Sequence, residues 1–288
     1  MNAFEGERRH LFGVAYRMLG SASEAEDVLQ EAWVRWSERR EEPASTRAYL
    51  TTVVVRLCLD QLKSARARRE KYIGPWLPEP LIGDAEPPDA RTELAESLSI
   101  AFLVLLERLS PLERAAFLLH DVFDEPYASV ARVLATSEDA CRQLVARARA
   151  HIDENRPRFR ASDEKKQELL QAFVTACSAG DSQALSRLLA NDVVARSDGG
   201  GKVQAALKPI FGVDRVVRFI FGVLKKFPPD GLPQIVRVNG EPGLLARTEG
   251  GVYTVMTLTV DGNEVTDLWI VSNPDKLAVA RGDQGPRG

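Results

Sequence analysis

Apolar residues recur at helical spacing through the first part of the chain, and the polar positions between them carry the cap signals. Leu11, Val14, Ala15, Met18 and Leu19 form one stripe that stops near Gly20. Ser21 or Ser23 then caps a second helix whose first turn carries Glu24, Glu26 and Asp27, acids that suit the positive end of the helix dipole. Val28, Leu29, Ala32, Trp33 and Trp36 are its apolar positions. A third helix is predicted from Ser45 or Thr46. It buries Leu50, Val54, Leu57, Cys58 and Leu62 and runs into Lys63, Arg66, Arg68, Arg69 and Lys71.

Between Ile73 and Asp89 the periodicity is lost. IGPWLPEPLIGDAEPPD holds five prolines and two glycines, which predicts an extended linker. Its WLPEPL core places Trp76, Leu77 and Leu81 where leaving them in water is costly. The strip either packs on its nearest domain or docks another domain of the chain or a partner.

Helical spacing resumes from Thr92 to about Arg156. Ser110-Pro111 opens a helix in the N-cap/N1 arrangement. Asp124, Glu125 and Pro126 open the next, with Tyr127, Val130, Ala131 and Leu134 facing inward. The turn Ala135-Thr136-Ser137 leads into a last helix, where Thr136 and Asp139 have capping-box spacing. Cys141, Leu144, Val145 and Ala148 are its buried stripe; Ser137, Glu138, Arg142, Gln143, Ala146, Arg147 and Arg149 face out. A short helix, a tight turn and a basic helix read as a helix-turn-helix, in which the second helix enters the major groove. Arginine and glutamine can make bidentate contacts to base edges there, while peripheral arginines meet phosphates.

From Ala161 the pattern changes. Two amphipathic helices are predicted at Lys165–Ser178 and Asp181–Leu189. The β-rich runs IVRVNG, GLLARTE, VYTVMTLTV and VTDLWIVS follow, with Asn239-Gly240 and Asp261-Gly262 as turn signals. Helices followed by an antiparallel meander predict an α+β domain, a curved sheet wrapped around a helix.

Composition adds bounds to this pattern. With 288 residues, 44% hydrophobic and 27% charged, the chain can build two or three cores. The longest apolar run, Ile100 to Leu106, is far short of a membrane span, and no secretory signal is visible. Cys58, Cys141 and Cys177 are odd in number and scattered, which fits a reducing cytosol and a cytoplasmic protein.

The net charge of −3 hides a division. Residues 47–71 hold seven bases and two acids; residues 73–98 hold one base and six acids; residues 132–160 hold seven bases and four acids. Two basic stretches are thus separated by an acidic one, and it is this distribution that sets a footprint on nucleic acid. The near-neutral total predicts weak non-specific binding by the free chain, so that a partner presents it to DNA.

These residues carry a resemblance. The first two parts are similar to the extracytoplasmic-function (ECF) sigma factors, promoter-specificity subunits of bacterial RNA polymerase, and the third resembles the SnoaL-like branch of the NTF2-like fold. DVLQEAW with Trp36 matches the family's polymerase-binding helix. AYLTTVVVRLCLDQLKSARARR matches the segment that reads and opens the minus-ten element. LSPLERAAFLL with YASVARVLATSEDACRQLVARAR matches the module that reads the minus-thirty-five element. WLPEPL, SDGGGK (Ser197 to Lys202) and NPDKL (Asn273 to Leu277) resemble the marks of a subgroup whose SnoaL-like tail is a built-in regulator.

The resemblance implies two all-α sigma domains, a helical bundle and a helix-turn-helix, followed by an α+β cone. The divisions are 1–72, a linker at 73–91, 92–160 and 161–288. It implies that Asp27, Gln30, Glu31 and Trp36 contact core polymerase, whose clamp and flap regions are the expected partners, while Trp33 is read as core. Arg56, Asp60, Lys63, Arg66 and Arg68 are the implied minus-ten face, and Ser137, Glu138, Arg142, Gln143, Arg147 and Arg149 the minus-thirty-five face. Many relatives place Arg-Asn where this chain has Val55-Arg56, which implies a different base preference there. Trp76, Leu77, Pro78, Glu79, Asp198, Gly199, Gly200, Gly201, Lys202, Asn273, Pro274, Asp275 and Lys276 are the implied regulatory surface.

Other readings stay open at this stage. A free-standing helix-turn-helix regulator needs no polymerase and dimerises on a palindrome. A SnoaL-like cyclase or isomerase would use Asp198, Asp214 or Asp267 for acid/base chemistry. All three histidines (His10, His120, His151) precede the tail, and no metal cluster, nucleophile motif or phosphate loop is evident. No cofactor and no metal are expected. A small ligand in the cone and a monomeric free state are expectations, as is the absence of membrane attachment.

Overall fold

Serine and glycine punctuate the helices. α1 (Ala3–Leu19) stops at Gly20, whose φ of 70° closes the last turn with a bond from its N–H to the Tyr16 carbonyl. Ser21 caps α2 (Ala22–Ser37) by accepting from the Glu24 N–H. The Ser45 hydroxyl accepts from the Ala48 N–H at the start of α3 (Thr46–Arg69). Leu11, Val14, Met18, Val28, Leu29, Leu50, Val54, Cys58 and Leu62 fill the space between these three helices. The computed structural model describes residues 3–39, 43–69 (side chains as far as 63), 71–83, 97–154, 161–248 and 253–277.

The second helical part holds α4 (Ile100–Leu106) and α5 (Pro111–Phe117), the latter running into a π-helical turn at Leu118–Val122. α6 (Tyr127–Leu134) and α7 (Glu138–Asp153) follow. Ser110 and Glu113 make a reciprocal capping box on α5, an arrangement worth about 1 kcal/mol. At α7 the cap is Ser137, which accepts from the Ala140 N–H, rather than the predicted Thr136. The reason is that Ala135 adopts a left-handed conformation (φ 52°), which ends α6 and leaves Ser137 extended at the next helix start.

The described residues fall into two compact units. One holds those up to Lys71 with 97–98 and 102–154; the other holds 72–83, 99–101 and those from 161 onward. In the first unit two arginines are buried. Arg17, 1% exposed, donates to Ser97 Oγ (2.7 Å) and the Gly13 carbonyl (3.0 Å) and lies over the Phe123 ring. Arg114, 3% exposed, joins α5 to the end of α1 through the Met18 carbonyl (2.7 Å) and pairs with Glu107 (2.7 Å).

The second unit is α+β, as predicted. Ser162 caps α8 (Asp163–Ala179), which ends at Gly180, and Asp181 caps α9 (Ser182–Leu188). The four predicted strands are β3 (Gln234–Val238), β4 (Glu241–Arg247), β5 (Tyr253–Asp261) and β6 (Glu264–Val271), an antiparallel meander. Asn239 and Gly240, both at positive φ, turn β3 into β4; the second hairpin turns on Gly262-Asn263, since Asp261 still pairs with Glu264.

Residues 190–233, given no element by the sequence pattern, supply most of β1 (Leu189–Asp198), β2 (Ile210–Phe211) and α10 (Val213–Lys226). β1 lies parallel to β6, so the sheet is mixed rather than a plain meander, in the order β2-β1-β6-β5-β4-β3. Val193, Ala195, Met256, Leu258, Leu268 and Ile270 project from one face onto Leu170, Phe173, Leu185, Val216 and Ile220 of the helices. The linker is the main departure from the expected divisions. Residues 72–83 belong to the tail unit instead of standing between domains, and residues 84–91 lie outside those described.

Candidate nucleic-acid interface

The stripe of α2 buries Ala25, Val28, Leu29, Ala32 and Trp36, leaving Asp27, Gln30 and Glu31 exposed. Glu31 pairs with Arg35 at 3.0 Å along the helix. One expectation is reversed. Trp36 is 6% exposed, tilted against Tyr49 with the Arg39 guanidinium over its ring, whereas Trp33 is 46% exposed beside Val34. Trp36 is therefore core, and Trp33 is the exposed indole of α2. The wheel contained this signal: Trp36 falls in the middle of the buried stripe, while Trp33 sits roughly 60° to one side.

On α3, Arg56, Asp60 and Lys63 are exposed at i, i+4 and i+7, hence on one face. Lys63 donates to Asp60 at 2.8 Å and holds that carboxyl below its ordinary range. Arg56 makes a long bond, 3.4 Å, to the Val133 carbonyl near the negative end of α6. The side chains of Arg66 and Arg68 lie outside the described residues, although their backbone continues α3.

The helix-turn-helix is α6, the turn through Ala135 and α7. Cys141, Val145, Ala148 and Ile152 anchor α7 inward, while Glu138, Arg142, Gln143, Arg147 and Arg149 are exposed. Acids hold all three arginines. Arg142 pairs with Asp139 (2.7 Å) and Glu138 (3.1 Å), Arg147 with Glu113 (2.8 Å), and Arg149 with both oxygens of Asp121 (2.7 and 2.9 Å). Burial pushes the Glu113 carboxyl up, but bonds from Arg147 and Ser110 outweigh it and hold it below its ordinary range. Pairs with one or both partners exposed are worth little, about 0–1 kcal/mol, so phosphates can replace the acids at small cost. The Ser137 hydroxyl is used as the cap acceptor, which leaves its O–H free to donate.

The two tail motifs, SDGGGK and NPDKL, converge with the strip within the second unit. Asp198, the last residue of β1, is fully buried. Its carboxylate accepts from the Tyr72 hydroxyl (2.6 Å), the Leu77 N–H (2.9 Å) and the Gly200 N–H (3.0 Å), and pairs with Lys276 (2.7 Å). Its backbone carbonyl accepts from the Ser272 and Asn273 N–H groups. Asn273 donates to the Tyr72 oxygen (2.8 Å), and Lys276 also donates to the Leu77 carbonyl while its ammonium lies over the Trp76 ring (4.2 Å). Burial, and then the Asp198 carboxylate, push the Tyr72 phenol well above its ordinary range, so it stays a donor.

The glycines of SDGGGK are there for close approach. A β-carbon on Gly200 (φ 62°) would stand 2.4 Å from Asn273 Nδ2, and one on Gly201 (φ 70°) 2.9 Å from the Ile73 side chain. Gly199 has no more room, with the Val203 carbonyl 2.6 Å away. Lys202 pairs with Asp275, so the loop is a turn closed against NPDKL rather than an anion cradle. Pro78 and Glu79 are buried along the strip. Its far end is zipped to the β3–β4 turn: Leu81 exchanges bonds with Asn239, and Gly83 donates to the Arg237 carbonyl.

Comparison with known proteins agrees with this layout. Residues 3–68 match the family model for Sigma-70 region 2, and residues 99–152 match that for Sigma-70 region 4. The chain is 43% identical over 289 residues to the ECF RNA polymerase sigma factor SigJ of Mycobacterium tuberculosis (strain ATCC 25618 / H37Rv), covering 96% of this chain and 93% of that one. It is 31% identical over 288 residues, 98% of this chain and 96% of the relative, to a protein of M. tuberculosis (strain CDC 1551 / Oshkosh) named "Probable ECF RNA polymerase sigma factor SigI". The crystal structure of M. tuberculosis SigJ superposes with a TM-score of 0.79 at 41% identity, over 96% of this chain and 97% of that one.

The chain is an ECF RNA polymerase sigma factor.

Among the described residues the enzyme reading of its tail finds no constellation. In the sigma factor the Asp198 carboxylate takes four donors and is bound into the contact with the strip. Asp267 pairs with Arg196 on a different stretch of the sheet, and Asp214 is exposed on α10. Among the described residues no group of three His, Cys, Asp or Glu could hold a metal, and no helix is long and apolar enough to cross a membrane. Arg17, Arg114 and Tyr72 are structural residues that the sequence pattern did not single out. Tyr72 carried a signal of a kind, since it adjoins a proline-rich strip with apolar residues in need of cover.

Proposed function

We propose that the tail of this sigma factor governs it in cis through the clasp at Asp198. The sigma factor binds core RNA polymerase and directs initiation at specific promoters. Asp27, Gln30, Glu31 and Trp33 are the proposed polymerase contacts. Arg56, Asp60 and Lys63, with Arg66 and Arg68, form the proposed minus-ten face; Ser137, Glu138, Arg142, Gln143, Arg147 and Arg149 form the minus-thirty-five face.

One observation carries the regulatory reading. The segment into which the chain continues after α3 and Lys71 is bound by the tail, through Tyr72, Trp76 and Leu77 on Asp198, Asn273 and Lys276. Closing or opening that grip sets how freely the chain leaves the minus-ten helix. The contact is intramolecular, so modest affinity suffices to hold it. All its parts come from one chain, and a free monomer needs no second copy. A small ligand in the tail would act by binding the closed and open clasp unequally.

Run-off transcription with purified core polymerase tests this, comparing the native chain with Asp198→Asn. A version ending at Arg160 is the coarser comparison, because losing Asp198 and Lys276 also strips the cover from Leu77. The clasp variant is expected to change transcript yield several-fold at unchanged start sites. Equal yields from the native chain and the variant at every promoter would rule out regulation through the clasp.

The indoles of α2 give a second prediction. Trp33→Ala is expected to weaken core-polymerase binding about tenfold or more, with stability within ~0.5 kcal/mol of native. Trp36→Ala is expected to cost about 3–5 kcal/mol of folding stability. A binding titration and a denaturant melt on both variants read the two effects separately, and a swap between them would restore Trp36 as the contact.

A further inference from the structure

The cations of the tail divide into two sets. Lys165, Lys166, Arg196, Lys202, Arg237, Arg247 and Lys276 each face a carboxylate. Arg187, Lys208, Arg215, Arg218, Lys225 and Lys226 have no acid partner among the described residues, and all lie in the stretch from α9 to the end of α10. Lys226 bonds only the neutral Gln204.

On α10 the unpaired set is ordered. Val216, Val217 and Ile220 face the core, and Arg215, Arg218, Gly222, Lys225 and Lys226 are exposed on the opposite side. At 100° per residue the four cations span an arc of roughly 100° with Gly222 near its middle, along about 17 Å of helix. A β-carbon at Gly222 would meet nothing within 4 Å, so no internal contact requires a glycine there, although glycine is a poor choice in a helix interior. The exposed apolar neighbours, Val223 and Phe227, lie at the flank and just past the helix end.

We propose that this face of α10 is a duplex-DNA contact that tracks the phosphate backbone without reading bases. Protein interfaces centre on buried aromatic or aliphatic anchors. Here the centre is a bare glycine ringed by cations, which gives a phosphate chain close approach and charge and offers a protein partner no anchor. The chain as a whole is −3, and the arginines of α7 are already held by acids, so unpaired cations here add attraction to DNA that α7 lacks when free. The contact does not depend on regulation by the clasp.

The test is fluorescence anisotropy of the full chain on a labelled random-sequence duplex across a salt series. The variant carries Arg215→Gln, Arg218→Gln and Lys225→Gln. A control with the same charge change carries Lys165→Gln, Arg237→Gln and Arg247→Gln. Three lost phosphate contacts shift the slope of log affinity against log salt by about 2.7, so the native chain loses about 40-fold more affinity than the variant between 50 and 200 mM salt. The control is expected to keep the native slope, and circular dichroism to show both variants folded. An unchanged slope in the first variant, or an equal change in the control, overturns the proposal. So does native DNA binding with a loss confined to core-polymerase affinity, which would assign the face to an acidic protein surface.

Discussion

Replacing Asp198 by alanine is expected to destabilise the tail by about 3–5 kcal/mol, because it breaks a buried ion pair from one side only. Lys276 is 10% exposed at its side chain and would keep its charge beside the Leu77 carbonyl and the Tyr72 and Trp76 rings with its carboxylate gone. The Tyr72 hydroxyl and the Leu77 N–H would lose their acceptor as well, and an orphaned buried donor costs about 1–3 kcal/mol. These losses overlap and do not add. Denaturant unfolding of the full chain, followed at the tail's own transition, reads the total. Hydrogen exchange at the Leu77 amide reads the local release. Adding Lys276→Met to Asp198→Ala is expected to recover part of the loss, since it removes the stranded charge. A native exchange rate at Leu77 in the single variant would mean that the strip is anchored elsewhere.

Arg114→Met is the corresponding expectation for the first unit, again about 3–5 kcal/mol. Burial pulls this guanidinium down to about 9, so it remains charged at neutral pH and depends on its two acceptors. Its removal takes the guanidinium from Glu107 and a donor from the Met18 carbonyl at the end of α1. Methionine fills much of the volume, so the loss measures the polar contacts more than a cavity. Glu107→Gln in the same chain is expected to restore part of the stability by removing the charge that the guanidinium had balanced. A midpoint for Arg114→Met within about 1 kcal/mol of native would show that solvent replaces these bonds at little cost.

Much of the candidate site was legible because it is local. The cap at Ser110, the recognition helix with Arg142, Arg147 and Arg149 outward, and the i, i+4, i+7 face of Arg56, Asp60 and Lys63 all follow from one period and one cap rule. Asn239-Gly240 likewise fixed its hairpin, since a two-residue turn needs positive φ at both positions. β1 is hard to read along the chain because after Leu189 only Val193 and Ala195 join the core beneath the helices, and Asp192, Arg196 and Asp198 break the run. Thr136 and Ser137 are both capping residues, and the left-handed turn at Ala135 selected the second.

The sequence by itself determined most of the helices, the hairpins of the meander and the helix-turn-helix, and a family resemblance singled out WLPEPL, SDGGGK and NPDKL. Periodicity, caps and turn chemistry act over a few residues, and so they can be read along the chain. Only the tertiary structure decided that β1 runs beside β6, that Trp36 rather than Trp33 is interior, and that the strip is part of the tail. Asp198 meets Leu77 across 121 residues of chain and Lys276 across 78. A buried carboxylate must find its donors wherever the fold brings them, and sequence spacing carries no record of that meeting.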